Sequence, residues 1–193
     1  MKLWTIQTLE VYEIIEKRGI FHCDFRRSWM KSYYRNQYAW LAGQMRKRIG
    51  NPPRGVQYPI WAWYQWEGIR KKPDLRRERW HNGNAGDQYV CMEIDIPDDE
   101  VLLSDFDAWS IILNDGLLSS TEEEDKRIER KYNAVSKEGQ RIMKEKNWEG
   151  VFDLSQLDNE WMIRGDSIQA TFWELKKDHI KTVRHFSSAS RRK

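Results

Sequence analysis

The chain has 193 residues, enough for one domain with a real hydrophobic core. Its 33% charged and 39% hydrophobic residues exclude a disordered chain, and no apolar run approaches the length of a bilayer-spanning helix. A net charge of +3 permits a nucleic-acid partner without requiring one, and two distant cysteines, Cys23 and Cys91, exclude a disulfide scaffold. Eleven tryptophans are the outlier. An indole N–H needs a partner when buried, so this density points to a core built on large rings or to a cleft that stacks a flat ligand.

In chain order, Leu3 to Gln7 reads as an opening strand. Its flank lacks the apolar stretch of a signal peptide, and a cytoplasmic location is expected. Thr8 is placed to cap a helix to about Lys17, with Gly19 as its stop. A second helix is expected from Arg27 to Arg48, because Met30, Tyr34, Tyr38, Leu41, Met45 and Ile49 recur at helical steps before Pro52 and Pro53. Tyr58 to Trp66 is apolar on both faces, which predicts a central strand or cleft wall. Arg70 to Gly86 is a basic, turn-rich loop. Tyr89 to Ile96 alternates, with Val90, Met92, Ile94 and Ile96 on one face.

Ser104 with Asp107 has the spacing of a capping box ahead of a short helix through Trp109 and Leu113. Thr121 with Glu124 has the same spacing, and opens one highly charged peripheral helix to about Lys146 along a thin stripe of Ile128, Tyr132, Val135 and Ile142. Trp161 to Ile163 and Ile168 to Leu175 are expected to form a hairpin about Arg164–Ser167, and Ile180 to Phe186 a last strand. Residues 1–186 form one α+β domain in this reading, with a central mixed or antiparallel sheet and peripheral helices. Residues 187–193 form a disordered basic tail.

Several segments resemble a bacterial family catalogued as domain of unknown function 3841. They are Leu3–Gln7, Tyr58–Trp63, Lys72–Arg76, Ile96–Asp107, and Ile168–Ala170 with Trp173–Leu175. More distantly, the order of parts is similar to small ADP-ribosyltransferase folds, in which an opening strand, an aromatic second strand and the start of a late strand meet at an NAD site. That resemblance implies NAD as a substrate. It places cofactor contacts on Trp4, Thr5 and Gln7 of the opening strand and on Trp61, Trp63 and Tyr64 of the aromatic strand. It gives the catalytic polar group to Gln169 or Glu174, which point oppositely if their strand is regular. The sequence departs from the pattern in two places: Trp4–Gln7 holds no His or Arg, and the late strand has no Glu-x-Glu.

The residues themselves leave several readings open. Nicotinamide in NAD⁺ is a flat cation that suits aromatic faces, and cleavage of its glycosidic bond builds positive charge on the ribose. Asp105 and Asp107 could form an acid–base pair, but the first turn of a helix is where carboxylates suit the macrodipole. Arg76, Arg77 and Arg79, with Trp80 and His81 beside them, mix cations with a ring in a way that suits phosphates and an unstacked base of RNA or DNA. A solvated charged loop is the plainer reading. The four histidines share no ligand spacing with each other or with the cysteines, so no metal is expected. The function expected is transfer of ADP-ribose from NAD to a macromolecule, in a toxin or phage-defence setting with a neutralising or chaperone protein as partner. The alternative is a non-catalytic module that binds nucleic acid or protein through the basic–aromatic surface.

Overall fold

The computed structural model describes residues 1–24, 33–78 and 84–189. The chain opens with β1 (Lys2–Thr8), α1 (Leu9–Arg18) and β2 (Ile20–His22), then α2 (Arg35–Ile49), β3 (Ile60–Gln65) and a single turn, α3 (Leu75–Glu78). β4 (Gln88–Asp95), β5 (Leu102–Asp105) and α4 (Phe106–Leu113) follow, and then α5 (Glu122–Asn133) and α6 (Lys137–Asn147). The last elements are β6 (Leu157–Asp158), β7 (Ile163–Arg164), β8 (Ile168–Phe172), β9 (Glu174–Lys176) and β10 (Ile180–Ser187). Among the described residues six strands make one sheet in the order β10-β4-β1-β3-β8-β5, every pair antiparallel. The architecture is mixed α and β in one domain.

Local chemistry sets the boundaries. The Thr8 side chain accepts from the Val11 N–H to start α1, and Gly19 ends it at φ 78°, where a side chain would be strained. β4 buries Val90, Met92 and Ile94, as its alternation predicts. That face packs against Leu3 of β1, Ile60 and Ala62 of β3, Ala170 and Phe172 of β8, and Ile15 of α1. The other face is covered on the β5 side by α2 and α4, through Leu41, Met45, Trp109 and Ile112 against Leu102 and Trp61. Full burial of such side chains contributes about 1.5–3 kcal/mol each.

Four sequence expectations are corrected. Ser104 does not cap α4: it is the third residue of β5, and the cap is Asp105, whose carboxylate accepts from Ala108 N at 2.8 Å. The charged helix is two helices, because the chain turns at Ala134–Ser136 and Ser136 caps α6. The hairpin does not form: β7 pairs with β6, and β8 lies between β3 and β5. The late strand breaks at Trp173, which turns into the core and donates from Nε1 to Gly50 O at 3.0 Å, so β9 leaves the main sheet and pairs with β2. At the C-terminal end β10 runs through Ser187, and Ser188 is buried, its hydroxyl bonded to Asn84 O. Of the expected second helix, Arg35–Ile49 is helical, while 25–32 lie outside the described residues.

Candidate functional site

Residues opposite one another in an antiparallel pair share a face of the sheet. Trp4 lies opposite both Glu93 and Trp63, Trp63 opposite Gln169, and Gln169 opposite Ser104. Glu93, Trp4, Trp63, Gln169 and Ser104 therefore form one row across β4-β1-β3-β8-β5. Trp4 is buried, and its indole N–H donates to Glu93 Oε2 at 3.3 Å. Trp63 and Gln169 are half-buried.

The register of β3 against β8 slips between Trp63 and Gln65. One extra residue reverses the parity of the strand, and Trp66, three positions on, comes back beside Trp63. The two rings lie 4.6 Å apart, edge to face. Phe106, the first residue of α4, completes the cluster at 5.2 Å from Trp63 and 5.9 Å from Trp66. All three rings keep part of their surface in solvent. A second cluster joins Trp61, Trp109, Tyr38 and Tyr58, with centroids 5.3–6.5 Å apart. Aromatic pairs contribute about 0.5–1.5 kcal/mol beyond area burial. Burial, with a smaller push from Cys23, raises the Tyr38 hydroxyl to about 12 against the lowering effect of the nearby Trp61 side chain, whose N–H falls short of full hydrogen-bond geometry.

Among the described residues, the buried side-chain polar atoms without a hydrogen-bond partner are Trp61 Nε1, Ser104 Oγ and Gln169 Oε1. All three belong to this same face, on neighbouring strands β3, β5 and β8. A buried polar group left unpaired costs about 1–3 kcal/mol, which makes this face the candidate site. Nearby, Asp107 is half-buried, and burial together with the neighbouring Asp105 and Asp166 raises its carboxyl above the ordinary 3.8. Asp105 itself is fully buried and structural: besides capping α4 it accepts from Gly165 N at 2.7 Å.

The other candidate residues divide away from this row. Thr5 and Gln7 alternate onto the opposite face, where Gln7 Nε2 donates to Thr5 Oγ1 and Thr5 Oγ1 to Trp61 O, both at 2.8 Å. Tyr64 packs on the α1 side and carries the Arg70 guanidinium 3.9 Å over its ring. Glu174 sits on β9, not on the strand of Gln169. It meets His22 Nε2 at 3.3 Å and Lys176 Nζ at 2.8 Å. Burial would raise its carboxyl, but those two partners outweigh burial and hold it below the usual range. Arg76 is tied to Asp74 by two bonds of 3.0 and 2.8 Å, which keeps the Asp74 carboxyl at about 2. Arg77 pairs with Glu67 at 2.9 Å. Arg79, Trp80 and His81 lie outside the described residues.

Phe106, Trp66 and Ser104 are not among the site residues expected from the sequence, although Trp66 falls in the expected cleft-wall strand and Ser104 at the expected helix cap. Only the β3 slip and the strand pairings bring them to the row. Several hollows among the described residues lie elsewhere. One, of about 690 Å³, is lined by Trp40, Tyr132, Lys137, Arg141 and Lys144, where Arg141 is held by Glu138 and Glu145 and Lys144 by Asp115. Another, of about 780 Å³, lies beside α1 and β2. Cys23 lines it, and burial, with Asp24 adding, pushes the Cys23 thiol up to about 11, away from reactive thiolate. Among the described residues no three His, Cys, Asp or Glu side chains are grouped to hold a metal ion, and no helix is long and apolar enough to cross a membrane.

A family model for a domain of unknown function (DUF3841) matches residues 2–181, from the first residue of β1 into β10. The chain belongs to this family. The match takes in every strand of the Trp4–Trp63–Gln169 row, so the row is part of the DUF3841 domain itself. No curated protein and no solved structure matched the chain.

Proposed function

We propose that this DUF3841 protein is an ADP-ribosyltransferase-like enzyme that uses NAD⁺ as donor substrate on the Trp63–Gln169 face and transfers ADP-ribose to a macromolecule. The reading is carried by the register that sets Gln169, a half-buried amide, directly opposite the half-buried ring of Trp63. The opening, aromatic and late strands are neighbours as β1-β3-β8, which is the adjacency such a site requires. Trp63, with Trp66 and Phe106 around it, offers a face for the cationic nicotinamide ring. The nicotinamide leaves with the glycosidic bonding pair, the ribose carbon gains oxocarbenium character, and an acceptor atom closes on it and sheds its proton to solvent. Gln169 is neutral, so its part is to hold the ribose in the attack geometry rather than to neutralise charge. Glu174 is committed to His22 and Lys176, and the catalytic role falls to Gln169.

RNA or DNA as acceptor would engage the Arg70–Arg77 segment. Its Arg76–Asp74 and Arg77–Glu67 pairs are exposed and screened by solvent, so phosphates could replace the carboxylates at small cost. The test is nicotinamide release from NAD⁺ with cellular RNA and protein present, together with NAD⁺ binding followed by tryptophan fluorescence. Gln169→Ala is expected to lower turnover about 100-fold, the scale of lost orientation, with binding kept within a few-fold. Glu174→Ala is expected to leave turnover near wild type. The neutral amide in place of a carboxylate also favours a second reading, a nucleotide-binding module without catalysis, for which NAD⁺ would bind and no nicotinamide would be released by the wild type.

A further inference from the structure

Ser104 and Gln169 are direct partners across the β5–β8 pair. Ser104 is 1% exposed, so it cannot meet a ligand from solvent, whereas Gln169 is half-buried. Both carry a buried oxygen with no partner. The neighbouring buried hydroxyls are spent on backbone carbonyls: Thr171 Oγ1 donates to Leu102 O at 3.2 Å, and Thr5 Oγ1 to Trp61 O at 2.8 Å. Ser104 is thus the hydroxyl in register with Gln169 that still has a proton to give. Directly opposed residues place their Cβ atoms about 4.5–5.5 Å apart, and a serine hydroxyl rotates freely. The two oxygens are not bonded to each other in the structure, and rotation about the Ser104 side-chain torsion is the movement that would join them.

We propose that Ser104 is a positioning residue for Gln169: its hydroxyl donates to Gln169 Oε1 and so turns the Nε2 amino group outward onto the Trp63 face. A glutamine amide is free to turn over, and each orientation presents a different group to a ligand. With Oε1 held from behind, the group presented is a donor, suited to a ribose hydroxyl oxygen. The catalytic consequence rests on the transferase reading above; the Ser104–Gln169 bond does not.

The experiment is a double-mutant cycle of Ser104→Ala and Gln169→Ala, with Ser104→Thr as the variant that keeps the hydroxyl, read by urea denaturation and by nicotinamide release. If the bond exists, Ser104→Ala lowers the denaturation midpoint in the wild-type background and has little further effect beside Gln169→Ala. Additive midpoint shifts would overturn the proposal. In release assays Ser104→Ala is expected to lower kcat about 10-fold with KM near wild type, Ser104→Thr to restore it, and Ser104→Ala to add nothing to Gln169→Ala. Unchanged kcat in an active protein would also overturn it. A wild type that releases no nicotinamide would remove the transferase reading, while the denaturation cycle would still decide whether Ser104 holds Gln169.

Discussion

Two aspartates two positions apart at the start of α4 do opposite things. The sequence pattern treats Asp105 and Asp107 alike, as carboxylates suited to a helix N-terminus. Asp105 is fully buried and accepts from the N–H groups of Ala108 and Gly165, tying α4 to the turn that leads into β8. Loss of the cap and an orphaned buried N–H together make Asp105→Ala cost about 2–4 kcal/mol, to be read from urea denaturation at neutral pH. Asp107 makes no such bonds among those described, and burial, then Asp105 and Asp166, raise its carboxyl. A raised folded-state value means that its favourable contribution is complete below the ordinary 3.8 and is lost as pH rises through the folded value. Asp107→Asn is therefore expected to raise the melting temperature at pH 7, with the advantage vanishing as the pH falls toward the ordinary aspartate value. A loss of stability at neutral pH would show that the Asp107 charge has a partner that favours it.

At the scale of elements, readability followed how much of the signal was local. β4 was legible because one face is buried and the other mixed, so Val90, Met92 and Ile94 alternate visibly. The two-residue strands β6 and β7 carry no periodicity to read, and β8 takes partners more than sixty residues upstream in sequence, β3 and β5. The candidate row was legible only in part: Trp63 and Gln169 stood out as residue types, but their shared face depends on register, and Trp66 joins them through a slip that no spacing rule shows. The break between α5 and α6 was hidden because Tyr132, Val135 and Ile142 keep a helical phase across it. Its signal was Ser136, whose hydroxyl accepts from Gly139 N at 3.3 Å. Ser136→Ala is expected to cost about 1 kcal/mol, the usual cap value, measured by thermal unfolding. Gly165 is a harder constraint. At φ 78° it sits in the left-handed region, and a Cβ there would lie 2.9 Å from Leu154 O and 3.1 Å from the Gln156 Cα. Neither atom belongs to a flexible side chain, so Gly165→Ala is expected to cost about 1–3 kcal/mol and to disturb the start of β8, seen as a shift of amide resonances through Gln169.

Across the whole molecule, stability is distributed unevenly between the sheet and the α5–α6 arm. Neither α5 nor α6 contains a buried residue, and Val135 and Ile142 are 42% and 56% exposed. The arm is tied at the start of α5, where Ser119 Oγ donates to Asp125 Oδ1 at 3.1 Å and Ser120 N to Glu124 Oε2 at 2.8 Å, within α6 by the Lys144–Asp115 pair at 2.6 Å, and at the end of α6. Asn147 bonds Leu118 N and O at 2.7 and 2.8 Å, Trp148 Nε1 donates to Gly116 O at 2.7 Å, and Trp40 Nε1 donates to Glu145 O at 3.1 Å. Such an element can open without breaking the β10-β4-β1-β3-β8-β5 hydrogen bonds, and segments with few buried contacts open at free energies far below global unfolding. Amide exchange by mass spectrometry is therefore expected to show α5 exchanging first, α6 next, and β1, β3, β4 and β8 last. The same division sets the mutational response. Val135→Glu and Ile142→Glu should change stability by no more than about 0.5 kcal/mol, as surface substitutions do. Trp148→Ala, at a residue 4% exposed in the core beside Trp40, should cost about 3–5 kcal/mol. If Ile142→Glu were as damaging as Trp148→Ala, or if α5 exchanged as slowly as β4, the arm would have to be counted as part of the core. On the proposed transferase reading, the two glutamate variants, at exposed positions of the arm, should leave NAD⁺ binding and nicotinamide release unaltered, whereas a change in either would tie the arm to the site.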